Sequence, residues 1–179
     1  MKPRWITAER FERVGIFTIR SGKKDVFPLL CPVLEYDWIP DWRCTMMYSE
    51  SGVAEKNALF MTRAKLHRKV MWTTITYEPD RLIEYLLVMG SDAMVRLSIS
   101  LEDDGGNATR IAWRMLFTAV SPLAKRALRA DYSEAKFQAM LGKREGAEPL
   151  PGNRRDAVGP MACGVPRRRP LTPVRLPLR

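Results

Sequence analysis

The chain has 179 residues, a formal net charge of +10 and 46% hydrophobic residues, so it holds enough apolar material for one compact domain with residues to spare. Three cysteines without CxxC spacing leave an odd thiol, which favours a reducing compartment, and a single histidine, His67, removes most zinc sites and most histidine-based catalytic groupings. No apolar run approaches the roughly 18 residues a membrane span needs, and the N-terminus lacks the apolar segment of a signal peptide, so a cytoplasmic protein is expected.

Residues Val14–Ile19 are β-branched and aromatic-rich and suit a first strand. Ser21 can cap a short helix through Leu30 that ends before Pro32, and a second helical turn fits Leu34–Trp38, ended by Pro40. Strand patterns then repeat over Trp42–Ser49, Ala58–Arg63, Lys69–Tyr77, Leu82–Met89, Met94–Leu101 and Thr109–Val120, separated by Gly, Asn, Asp and Pro clusters that read as the hairpin turns of an antiparallel meander. Ser121-Pro122 opens a long helix to about Gly142, with an apolar stripe of Leu123, Ala127, Ala130, Phe137 and Leu141 that Glu134 interrupts. From Ala147 onward the composition changes. The last stretch holds seven of the 13 prolines and seven arginines, with no periodic apolar pattern, so residues 147–179 read as a disordered basic tail beside a folded domain of residues 1–146.

A sheet of six to seven antiparallel strands with one apolar face needs a cover, and one long amphipathic helix supplies it. The expected class is therefore α+β: a curved antiparallel sheet around a long C-terminal helix, with two short helices after the first strand. Such a sheet leaves a hollow between itself and the helix.

Several short motifs occur in the matching order. They are Val26-Phe27-Pro28-Leu29-Leu30, then Pro32, Glu35, Trp38 and Trp42, then Leu59-Phe60-Met61-Thr62, then Thr109-Arg110-Ile111-Ala112-Trp113. Over roughly Phe11 to Lys143 these resemble the START-like polyketide cyclase/dehydrase superfamily (SRPBCC, helix-grip fold). The resemblance implies a deep cavity for lipids, polyketides or other apolar molecules. It implies no shared catalytic signature, so function has to be argued from the pocket.

Each candidate pocket residue has a functional and a structural reading. Trp38 and Trp42 could gate a pocket or plug the end of the sheet. Glu35 could bond a ligand hydroxyl or act as acid or base, or it could pair with an arginine such as Arg43 or Arg63. Alternation puts Ile83, Tyr85, Leu87 and Met89 on one face of their strand. It sets Ile111, Trp113, Met115 and Phe117 inward on the last strand, which makes Tyr85, Leu87, Trp113, Met115 and Phe137 wall or core residues. The strand around Val70, Trp72 and Thr74 has no clear inner face. Met-rich strands suit either a variable ligand or ordinary core filling. His67 lies among cations and reads as a solvated turn, and Cys31 as a buried thiol.

The Arg167-Arg168-Arg169 cluster could contact anionic partners, but no aromatic residue follows Phe137, which argues against base stacking. The same bias also fits out-of-frame translation of GC-rich DNA. No glycine-rich phosphate loop and no ligand cluster with metal spacing is present, so neither cofactor nor metal is implied. The expected activity is binding of a small apolar molecule. The alternative is a polyketide cyclase or dehydratase using Glu35 or Tyr85 for proton transfer.

Overall fold

In the computed structural model, residues 7–37, 39, 42–63 and 69–145 are described. Trp38, His67, Cys163 and the proposed tail 147–179 lie outside them, as do the expectations placed on those residues.

The described strands form one seven-stranded antiparallel sheet in the order β1-β7-β6-β5-β4-β3-β2. Strand β1 covers Glu9–Ile19, β2 Cys44–Tyr48, β3 Leu59–Arg63, β4 Lys69–Glu78, β5 Leu82–Met89, β6 Ala93–Asp103 and β7 Thr109–Ala119. From β2 to β7 the chain is a meander whose neighbours in sequence are neighbours in the sheet. Strand β1 then pairs with β7 along its whole length, from Glu9 opposite Ala119 to Ile19 opposite Thr109. The hairpins turn where the sequence offers residues that tolerate positive φ, such as Gly90 at +61° between β5 and β6.

Between β1 and β2 the chain forms α1 (Lys23–Val26), which runs directly into a 3₁₀ turn over Phe27–Leu30. Gly22, not Ser21, stands at the N-cap, without a side-chain cap bond. The Ser21 carbonyl instead accepts the buried Thr109 hydroxyl at 2.6 Å. A second 3₁₀ turn covers Glu35–Asp37.

The C-terminal helical segment comes in two pieces, α2 (Pro122–Asp131) and α3 (Glu134–Glu145). Ser121 caps α2 by accepting the Ala124 N–H, as its Ser-Pro start predicts. Tyr132 leaves the helical region at φ −116°, ψ 40°, and the next i→i−4 bond runs from the Phe137 N–H to the Ser133 carbonyl. Asp131 and Ser133 favour caps over helix interiors, and they flank this break.

The break also resets the helix phase. In α2 the buried residues are Ala124 and Leu128, while Leu123 is 74% exposed, contrary to the expected stripe. In α3 the expected pair Phe137 and Leu141 is buried. Glu134, which interrupted the stripe, lies in the first turn of α3 and pairs with Arg13 at 3.5 Å.

The core lies on one face of the sheet. Val95, Leu97, Ile99 and Leu101 of β6 and Ile111, Trp113, Met115 and Phe117 of β7 are buried there, with Ile83, Tyr85 and Leu87 of β5. Helix α3 crosses β1 at Gly15, where a methyl group would overlap Leu141 Cδ1 and stand 3.3 Å from Phe137. A glycine is what lets this helix approach so closely. Strand β4 resolves its ambiguous face: Val70 and Thr74 are buried, with Trp72 beside them. A register shift between Thr74 and Thr76 reverses the alternation there, so Tyr77 also meets the core.

Candidate functional site

The first 3₁₀ turn lies against the inner face of β4 and β5. Phe27 meets Tyr77 edge to face at 5.4 Å, and the Tyr85 hydroxyl donates to the Leu30 carbonyl at 2.9 Å. That bond satisfies a carbonyl at the turn's end and commits the tyrosine proton. Burial raises the Tyr85 hydroxyl well above its ordinary pKa, and the Glu35 charge adds to the shift.

An aromatic cluster extends outward from Tyr85. Phe60 stacks on Trp72 at 5.3 Å, Tyr85 sits edge-on to both rings, and Trp42 sits edge-on to Trp72 at 6.4 Å. The polar tips here are satisfied. Trp72 Nε1 donates to Thr62 at 2.8 Å, and Trp42 Nε1 donates to the Pro32 carbonyl at 2.8 Å. Trp42 therefore anchors the short-helix segment to this cluster.

Three buried side-chain atoms among the described residues have no hydrogen-bond partner: Thr74 Oγ1, Trp113 Nε1 and Arg144 Nε. Trp113 is 4% exposed, and the Arg144 guanidinium lies over its ring at 4.6 Å. Arg144 reaches this position from the last turn of α3, where its Nη1 also donates to the Met140 carbonyl at 3.2 Å.

Glu35 is the acid of this region. It is partly buried, and no hydrogen bond to its carboxyl occurs among the described residues. Burial pushes its pKa up to about 8, against the opposing pull of the Arg144 charge. Burial lowers the Arg144 pKa in turn, while Glu35 and Tyr132 oppose that shift. Among the described residues the cation acting on Glu35 is thus Arg144, in place of the Arg43 or Arg63 expected as a partner; both of those side chains are exposed. Near neutral pH the Glu35 carboxyl is mostly protonated and can both donate and accept a hydrogen bond.

The remaining expected residues divide between wall and core. Leu87 is fully buried opposite Trp72 in the β4–β5 pairing, and Met115 is buried on β7 between the partners Arg13 and Leu97. Phe137 is committed to the contact with Gly15. The sequence reading missed Phe60, Trp72, Thr74 and Arg144. The bulge in β4 left Trp72 and Thr74 without a clear inner face, and Arg144 lies in a polar run past Gly142, where a cation reads as serving the helix C-terminus. No group of three or more potential metal-ligating His, Cys, Asp or Glu side chains occurs among the described residues.

The opposite face of the sheet is different. A shallow depression of about 220 Å³ lies there, lined by Ile16, Ser100, Glu102, Arg110 and Ala112. Nearby, Glu84 accepts three bonds from Arg96 and one each from Ser98 and Thr76, the latter two at 2.6 Å, and these bonds bring its pKa down to about 2 despite burial.

No protein-family model and no curated protein sequence matches the chain. Solved structures do match in shape. Norcoclaurine synthase from Thalictrum flavum superposes with a TM-score of 0.61 at 10% identity, over 80% of this chain and 96% of that one. An uncharacterised protein of Rhizobium leguminosarum gives 0.58 at 13% identity, over 79% and 96%. A Mesorhizobium loti protein gives 0.50 at 16% identity, over 74% and 94%. At these identities the likeness is one of fold alone, the α+β helix-grip arrangement.

Proposed function

We propose that residues 1–146 form a cytoplasmic helix-grip domain of the START-like polyketide cyclase/dehydrase type that binds one small apolar molecule between the sheet and the C-terminal helices. The observation that carries this reading is the indole N–H of Trp113, buried without an acceptor beside an aromatic and aliphatic wall. An orphaned buried donor costs about 1–3 kcal/mol, and a ligand oxygen would remove that cost. Thr74 Oγ1 is a second unsatisfied interior group that a ligand could use. An apolar pocket with a few converging polar groups is the usual form of a small-molecule site.

Native mass spectrometry of protein purified from its own host, followed by denaturation, tests the reading. A stoichiometric apolar compound that is lost in a Trp113→Ala variant is the expected result. An empty protein that also fails to bind a panel of lipids and aromatic polyketides would overturn it.

One observation favours catalysis as a second reading: the desolvated Glu35 carboxyl, without a hydrogen bond among the described residues and with its pKa raised to about 8. An enzyme of the cyclase or dehydratase kind would then use Glu35 as its proton donor. Glu35→Gln would abolish turnover and leave ligand affinity in place. Tyr85 is a weaker donor for that role, because its proton already goes to Leu30.

A further inference from the structure

The unpartnered atoms at Arg144 and Trp113 are both donors and only donors. An indole N–H and a guanidinium N–H cannot satisfy one another, so the missing partner has to be an acceptor. Among the described residues the carboxyl whose charge acts on Arg144 is that of Glu35, and the two form neither a hydrogen bond nor an ion pair. A partly buried guanidinium therefore faces the interior with one N–H unused while it lies on the Trp113 ring.

We propose that the molecule held in the cavity is an acid, and that Arg144 and the Trp113 indole N–H receive its carboxylate while its apolar body lies along the aromatic wall. This rests on the cavity-binding reading above and specifies the ligand's chemical class. One guanidinium balances one negative charge, which suits a monoanionic carboxylate. Both unused hydrogens are shut from water in this structure, so the acid reaches them by moving the guanidinium off the ring. Glu35 supports the assignment: mostly protonated near neutral pH, it leaves the guanidinium charge uncompensated and can donate a hydrogen bond to the second carboxylate oxygen. A ligand ammonium would meet the Arg144 charge with no ionised acid beside it, which disfavours amines at this site.

The test is isothermal titration of the full chain at neutral pH with decanoate and 4-phenylbutyrate. Each is compared with its methyl ester and with the primary amine of the same skeleton. Bonds to a charged group predict acids binding at least about tenfold more tightly than esters, with amines weakest. Arg144→Met should bring the acid down to the ester's affinity while the ester still binds, which shows that the pocket is folded. Arg144→Lys should keep part of the preference, and Trp113→Phe should weaken the acid more than the ester.

Esters or amines binding as well as acids to the native chain would overturn the carboxylate assignment alone. So would an acid-to-ester ratio unchanged in Arg144→Met. Failure of every acid, ester and amine to bind would overturn the cavity-binding reading, and this assignment with it.

Discussion

The two halves of the inner face are packed in different ways. Under the C-terminal helices, Phe11 stacks on Phe117 at 4.6 Å and 7°, Tyr132 closes over Phe117 at 4.7 Å, and Arg13 Nε donates to the Tyr132 carbonyl at 2.9 Å. The bond from Arg13 ties β1 to the helix break. Between that region and the short helices, Trp113 Nε1, Thr74 Oγ1 and Arg144 Nε have no hydrogen-bond partner among the described residues, and neither does the Glu35 carboxyl. A fold stabilised uniformly would have closed these gaps with side chains. The difference separates a part of the sheet whose polar groups are paired from a part that keeps unpaired ones, where the proposed ligand would lie.

Substitutions in each half should break that contrast or sharpen it. Phe117→Ala, in the closed half, deletes a ring with no exposed surface and should cost about 3–5 kcal/mol, read as a lowered denaturation midpoint. Glu35→Gln should act through pH. The folded carboxyl binds its proton up to about 8, against an ordinary value of 4.5, so the native state holds more protons than the unfolded chain between those values. The contribution of Glu35 is therefore most favourable below pH 4.5 and declines as pH rises through 8. The variant should overtake the native chain by about 2–4 kcal/mol in urea melts at pH 9, with little difference at pH 4.

Glu84 on the outer face has the opposite sign. Its pKa near 2 gives stability that is complete above 4.5 and is lost as pH falls toward 2. Because Arg96 is half exposed, Glu84→Gln should cost only about 2 kcal/mol at pH 7 and flatten the acid limb of the stability profile. The smallest effect belongs to Trp113→Phe. Removing an unpartnered donor while keeping an aromatic ring should change stability by less than about 1 kcal/mol, yet it should weaken ligand binding. A loss as large as that of Phe117→Ala would place Trp113 in the closed half.

The sheet was legible because its signals are local. Strand β5 begins and ends where alternation and Gly90 place it, and the inward set Ile111, Trp113, Met115 and Phe117 follows from alternation alone. What could not be read depends on one-residue events. The register shift after Thr74 reverses the period of β4 and conceals Trp72 and Thr74. The stop at Tyr132 shifts the buried face of α2 from Leu123 and Ala127 to Ala124 and Leu128.

The candidate site was legible in part. Glu35, Tyr85 and Trp113 stand out by residue type in an apolar setting. Arg144 does not, because a cation near a helix C-terminus usually serves the helix dipole. Here it does that through Met140 and also reaches inward over Trp113. Only the path of the chain brings Glu35 and Arg144, 109 positions apart in sequence, into the same electrostatic field.

The break at Tyr132 also bears on how the domain exchanges its amide hydrogens. Helices α2 and α3 share no continuous hydrogen-bond ladder. The last bond of one ends at Leu128, and the first of the next begins at Ser133. Helix α2 is strapped to β1 by Lys125 and Arg129, which both pair with Glu9. Helix α3 is held mainly by Phe137 and Leu141 against Gly15. Its amides can therefore exchange through a subglobal opening that releases Phe137 and Leu141, with the Glu134–Arg13 pair and the Arg144–Trp113 contact, and leaves the seven strands protected, well below the free energy of unfolding the whole domain.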